Sequence, residues 1–139
     1  MLKRIDHVAI IVRNIEQALI FYRDVLGITA SEIKEVPTEQ VRIAFLPLGG
    51  PGGSEIELIE PTTPGSSLMR FLERRGEGLH HIALEVEDIT TALQEMQEKG
   101  ASILDKQPRV AAEGRAIFVH PKGTNGVLLE LLEKHGPPS

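Results

Sequence analysis

Two stretches of the chain repeat one pattern of apolar and polar positions: residues 4–28 resemble residues 78–101. Each opens on an aliphatic and β-branched run, Ile5-Asp6-His7-Val8-Ala9-Ile10 in the first and Leu79-His80-His81-Ile82-Ala83-Leu84 in the second, which predicts a buried strand. The period then changes. Ile15, Ala18, Leu19 and Tyr22 fall on one helical face, and Ile89, Ala92, Leu93 and Met96 repeat that stripe. Asn14 and Asp88 immediately precede the stripes, where a side-chain oxygen can accept from first-turn N–H groups, so both are predicted N-caps. Gly27 and Gly100 are placed to end the helices in the left-handed conformation.

The halves also close alike. Glu57-Leu58-Ile59-Glu60 matches Glu130-Leu131-Leu132-Glu133, and each follows a turn-rich stretch, Gly49 to Gly53 or Lys122 to Gly126. Between helix and closing strand lies room for one or two further strands, with Val41 to Leu46 and Arg115 to Val119 as the candidates. Each half therefore reads β-α-β-β-β. The joining segment has turns at Pro61 and Pro64-Gly65 and a short helix over Ser67 to Arg75. The expected fold is α+β: one domain over residues 1–139, with modules at about 1–61 and 77–134 and a connector at 62–76. The modules are expected to be related by a pseudo-twofold and to form a curved mixed β-sheet around a shared site.

Length and composition agree with this reading. A chain of 139 residues with 41% hydrophobic and 25% charged residues is ordinary for one globular domain. The net charge of −5, without a basic stripe, argues against nucleic acid as a partner. No cysteine is present, so any metal must be held by nitrogen and oxygen. The N-terminal residues lack the apolar core of a signal peptide, and no run reaches the roughly 20 apolar residues of a membrane span, so a cytoplasmic location without membrane contact is expected.

The repeat pairs His7 with His81 and Glu57 with Glu130. Alternation puts Glu57 on one strand face with Ile59, and Glu130 on one face with Leu128 and Leu132, and a charge on an apolar face needs a partner. Two imidazoles and two carboxylates suit a first-row divalent cation better than Ca²⁺. His80 points to the face opposite His81 and so competes with it for one place in a site with His7. His120 and His135 have no matched partner and read as loop residues. The Gly49 to Gly53 stretch lacks a P-loop lysine and reads as a hairpin turn.

Asp6-His7-Val8-Ala9-Ile10, Phe21 to Gly27 and the closing Glu130 strand resemble the vicinal oxygen chelate superfamily. Phe45 to Gly49, Glu57 to Pro61, Phe71 to Ala83, and His120 to Lys122 with Gly126 to Leu131 resemble its methylmalonyl-CoA epimerase family in particular, so that the likeness covers nearly the whole chain. The resemblance implies metal ligands at His7, Glu57, His81 and Glu130. It implies a divalent ion, Co²⁺ first with Zn²⁺, Mn²⁺ or Ni²⁺ as alternatives, an acyl-CoA substrate and a homodimer. The implied reaction interconverts the two epimers at the carbon between thioester and carboxylate. Two faces of one carbon need two groups, and Glu130 and Glu57, the matched carboxylates, are expected to serve as the acid and base while also binding the metal.

Some members of that family carry a further carboxylate on the strand matching Val41 to Phe45. Here Arg42 is the nearest match, and arginine is not a base at physiological pH. Glu35 and Glu39 are the nearest carboxylates, both expected in a loop before that strand. Lys122, Arg115 and Arg74 are candidates for contacts to CoA phosphates. Three other activities share the superfamily: a glyoxalase I-like lactoylglutathione lyase, an extradiol dioxygenase and a metal-free small-molecule binding module. Occupation of all four ligand positions favours an enzyme.

Overall fold

The computed structural model describes residues 1–135. The fold is α+β, and by its internal contacts the chain divides into two compact units, one of residues 7–80 and one of residues 1–6 with those from 81 onward. Among the described residues, no helix is long and apolar enough to cross a membrane.

In the unit of residues 7–80, strand β1 (Leu2–Ile11, here from His7) leads into helix α1 (Ile15–Leu19), followed by β2 (Glu32–Val36), β3 (Val41–Leu48) and β4 (Ser54–Pro61). The sheet order is β2-β3-β4-β1, with β1 and β4 parallel and the other pairs antiparallel. Asn14 caps α1 by accepting from the Gln17 amide at 2.8 Å. The helix does not continue regularly to Gly27. Ile20–Val25 is π-helical, and the Leu26 amide donates to the Phe21 carbonyl, five residues back. The wider turn leaves Phe21, Val25 and Leu26 more than half exposed while Ile15 and Leu19 stay in the core. Gly27 closes the segment at φ 80°, as the sequence predicts. The connector helix α2 (Ser67–Arg75) has the expected bounds and is capped by Ser66, which accepts from the Met69 amide.

The unit from residue 81 repeats the plan. Strand β5 (Gly78–Val86, here from His81) is followed by α3 (Ile89–Glu98), β6 (Arg109–Ala111), β7 (Gly114–Val119) and β8 (Leu129–Lys134), in sheet order β5-β8-β7-β6 with β5 and β8 parallel. Asp88 caps α3 by accepting from the Thr90 and Thr91 amides, and Gly100 lies at φ 78°.

In each unit the strands turn one face to the helix and the other to the His–Glu pair. Ile15 and Leu19 pack with Ala44, Leu46 and Leu58, while Ile89, Ala92 and Leu93 pack with Ile117 and Leu131. Residues paired across a ladder share a face, and alternate residues along a strand change face. Glu57, paired with Ala9 and Phe45, is therefore turned away from α1. Glu130, paired with Ala83 and Phe118, is turned away from α3. The Gly49 to Gly53 segment is the hairpin turn between β3 and β4, closed by the Gly53 amide donating to the Gly50 carbonyl.

Candidate metal centre

Each unit carries one buried histidine beside one buried glutamate. In the unit of residues 7–80, His7 on β1 has Nδ1 3.0 Å from Oε2 of Glu57 on β4, the parallel neighbour of β1. In the other, His81 on β5 has Nε2 3.0 Å from Oε1 of Glu130 on β8, the parallel neighbour of β5. The four residues are 3–7% exposed. Apolar residues flank them along the ladders. Ala9, Ile43, Phe45 and Ile59 share the face of Glu57, and Ala83, Ala116, Phe118 and Leu132 share that of Glu130. Withdrawing a carboxylate from water in such a setting is expensive without a cation or a set of donors. Each pair offers a metal one imidazole nitrogen and one carboxylate oxygen within 4.8 Å of one another. Nitrogen and oxygen donors at this density fit a first-row divalent ion.

A phenylalanine stands across the ladder from each glutamate. Phe45 lies directly opposite Glu57 in the β3–β4 ladder, and Phe118 directly opposite Glu130 in the β7–β8 ladder. The Phe118 ring meets His81 edge to face, with centroids 5.4 Å apart and planes at 89°. Such contacts orient a ring by quadrupole as well as by packing. Neither phenylalanine is found by a search for ligand atoms. Aligning β3 with β7, which superposes Arg42 on Arg115 and Phe45 on Phe118, does find them.

The other residues of interest fall elsewhere. His80 packs edge to face on Phe71, with centroids 4.9 Å apart. His120 caps the turn Pro121–Gly123, its Nδ1 accepting from the Lys122 amide, and His135 follows β8 with its amide donating to the Glu113 carbonyl. Glu35 corrects an expectation: it lies in strand β2 and not in a loop, because residues 32–36 pair in register with β3. It stands opposite Arg42, on the face away from Glu57. Glu39 ends the 3₁₀ turn Pro37–Glu39 just before β3.

Arg42 lies with Glu60, not with Glu57. Its guanidinium is 3.3 Å from Glu60 and 2.9 Å from Glu16, and these partners hold Arg42 above, and Glu16 below, their ordinary pKa ranges. Arg115, a candidate for CoA phosphate contact by sequence, occupies the matching place with Glu133 at 3.4 Å, on the face away from Glu130.

The chain belongs to the glyoxalase/bleomycin resistance protein/dioxygenase superfamily, whose model matches residues 6–119. It is similar over nearly its whole length to epimerases of that group. An ethylmalonyl-CoA/methylmalonyl-CoA epimerase of Cereibacter sphaeroides is 39% identical, over 94% of this chain and 98% of the relative. The mitochondrial methylmalonyl-CoA epimerase of Mus musculus is 37% identical, over 94% of this chain and 72% of the relative. A solved methylmalonyl-CoA epimerase in complex with methylmalonyl-CoA and NH₄⁺ superposes with a TM-score of 0.90 at 34% identity, covering 100% of this chain and 99% of that one.

Proposed function

We propose that this protein is a divalent-metal-dependent methylmalonyl-CoA epimerase, with His7, Glu57, His81 and Glu130 as ligands of a single ion. The observation that carries the reading is the duplicated buried His–Glu pair, each held by a parallel strand couple. One such pair alone is an ordinary buried ion pair; two at matched positions supply the four donors that a single site needs. The epimerase names of the near-full-length relatives support the substrate. The ion would be Co²⁺, with Zn²⁺, Mn²⁺ or Ni²⁺ as alternatives, and the working form a homodimer.

The reaction removes the proton from the carbon between thioester and carboxylate and returns one to the opposite face. A bound divalent ion would lower the cost of enolate charge by acting as a Lewis acid. The chain's own residues must then move the proton. Glu130 and Glu57 supply one carboxylate from each half, as two faces of one carbon require: one Oε takes the C2 proton, and the other carboxyl delivers its own. No net proton is consumed, and the roles exchange in the reverse direction. The apolar residues around each pair, Phe45 and Ile59 or Phe118 and Leu132, exclude water that would otherwise compete for the proton.

The test is proton NMR of one methylmalonyl-CoA epimer with the protein in D₂O, with chelator and then with added Co²⁺. Metal-dependent deuterium gain at C2 is the expected result. No exchange with any divalent metal, together with turnover of a glutathione hemithioacetal, would move the assignment to a lactoylglutathione lyase.

A further inference from the structure

Strand β6 places a cation on the same sheet face as the His81–Glu130 pair. Arg109 pairs with Ala116 on β7, Ala116 with Leu132 on β8, and Leu132 with Glu85 on β5, so Arg109, Phe118, Glu130 and His81 share one face. The guanidinium is fixed there from two sides. Its carbon lies 5.2 Å from the centre of the Phe118 ring, which itself packs on His81. Behind it, Asp105 receives Nε at 2.8 Å and also Nη2, while the second oxygen of Asp105 accepts from the Phe118 amide at 2.7 Å. The Asp105 side chain is buried, whereas that of Arg109 is 51% exposed. Both Nη1 hydrogens of Arg109 therefore have no hydrogen-bond partner among the described residues.

A fold that needed only a surface ion pair would not aim a planar guanidinium across the face that carries the ligand pair. The repeat gives the same answer in the other half. Lys34, paired with Ile43 as Arg109 is with Ala116, is a cation on the face of Glu57.

We propose that Arg109 is a specificity residue that anchors an oxyanion of the acyl-CoA ligand through its free Nη1 edge. This rests on the acyl-CoA reading above. The oxyanion is either the free carboxylate of the acyl group or a phosphate of the CoA. Both have the fork geometry that guanidinium recognises. Asp105 and Phe118 are positioning residues, holding the guanidinium so that little rotamer entropy is lost when the anion arrives.

The test is calorimetric binding of three ligands to the Co²⁺-loaded protein: methylmalonyl-CoA, propionyl-CoA, which lacks the carboxylate, and methylmalonyl-pantetheine, which lacks the phosphates. Arg109→Met should weaken the ligands that carry the recognised oxyanion by roughly 10- to 100-fold, the loss expected for one charged hydrogen-bonded contact, and spare the third. Loss for methylmalonyl-CoA and its pantetheine analogue assigns the carboxylate; loss for the two CoA esters assigns the phosphates. Arg109→Lys should fall between wild type and Arg109→Met. Unchanged binding of all three ligands overturns the proposal. So does an equal loss for all three accompanied by weaker Co²⁺ binding, which would show that Arg109 only supports Phe118 and His81. If the ligand-selective loss is found but wild type exchanges no C2 proton, the anchor stands and the epimerase reading falls. If wild type binds none of the three, both fall.

Discussion

Glu60 accepts a hydrogen bond from the Ile15 amide, the first of helix α1, at 2.9 Å. It lies three residues along β4 from Glu57 and therefore faces the other way. Glu133 makes the same 2.9 Å bond to the Ile89 amide at the start of α3, three residues along β8 from Glu130. Each closing strand thus presents a candidate ligand on one face and a helix clamp on the other, and Arg42 and Arg115 belong to the clamps.

That division predicts how substitutions should separate. Glu60→Ala and Glu133→Ala each remove a helix-start acceptor and should cost about 1–2 kcal/mol in urea unfolding. Arg42→Met should cost less, about 0.5 kcal/mol, because its other partner, Glu16, is exposed. Arg42→Met should leave Co²⁺ affinity and C2 exchange unchanged. A loss of exchange in a folded, metal-loaded Arg42→Met protein would place Arg42 in the chemistry after all.

Removing a ligand should act on the metal before it acts on the fold. In His81→Ala and Glu130→Gln, Co²⁺ affinity should drop by more than the roughly 10- to 100-fold typical of residues that only support a ligand. Linkage gives a second readout. Co²⁺ at about 100 times its dissociation constant should add about 2.7 kcal/mol to wild-type stability. The same concentration should add almost nothing to His81→Ala, and an equal gain in both proteins would exclude His81 as a ligand.

Gly114 and Gly27 should respond differently to alanine. A Cβ on Gly114 would stand 2.0 Å from the Glu133 carbonyl oxygen and 2.9 Å from the Lys134 Cα, so β7 and β8 would have to separate. Gly114→Ala should cost about 3 kcal/mol, at the upper end of ordinary single substitutions. A Cβ on Gly27 meets nothing within 4 Å and adds only the strain of a positive φ, about 1–2 kcal/mol. Urea unfolding of the two variants checks the order. The Gly114 variant should also lose Co²⁺ affinity, since Glu130 lies on the strand displaced.

The repeat was legible because strand alternation, helix stripes and caps are local signals. Asn14, Asp88, Gly27, Gly100 and the bounds of α2 all follow from short-range rules, and all are present in the structure. Each His–Glu pair was legible for a different reason: a histidine and a glutamate recur at matched positions, so one half predicts the other. What was not legible depends on register. Nothing local says that Glu35 pairs with Arg42, or that Arg42 falls opposite Glu60 and Phe45 opposite Glu57. The π-helical turn at Ile20–Val25 was also hidden, because the apolar stripe through Tyr22 fits a regular helix equally well. Arg109 was missed for a third reason: β6 has only three residues, too few to show alternation.

Asp88 gives a pH-dependent prediction with a built-in control. Its carboxylate accepts from the Thr91 and Thr90 amides, and these bonds, those of Thr91 foremost, hold its pKa below the ordinary value of 3.8. A carboxyl whose folded pKa is depressed stabilises the fold fully above its unfolded pKa, and that contribution is lost as pH falls through the folded value. The matching cap in the first half is Asn14, which makes the same kind of bond without a charge. Asp88→Asn should therefore keep a working cap but lose the charged contribution. Its urea midpoint should lie below wild type near neutral pH, and the gap should close as both proteins are taken to pH about 2. A gap that persists unchanged at low pH would show that cap geometry, rather than ionisation, sets the difference.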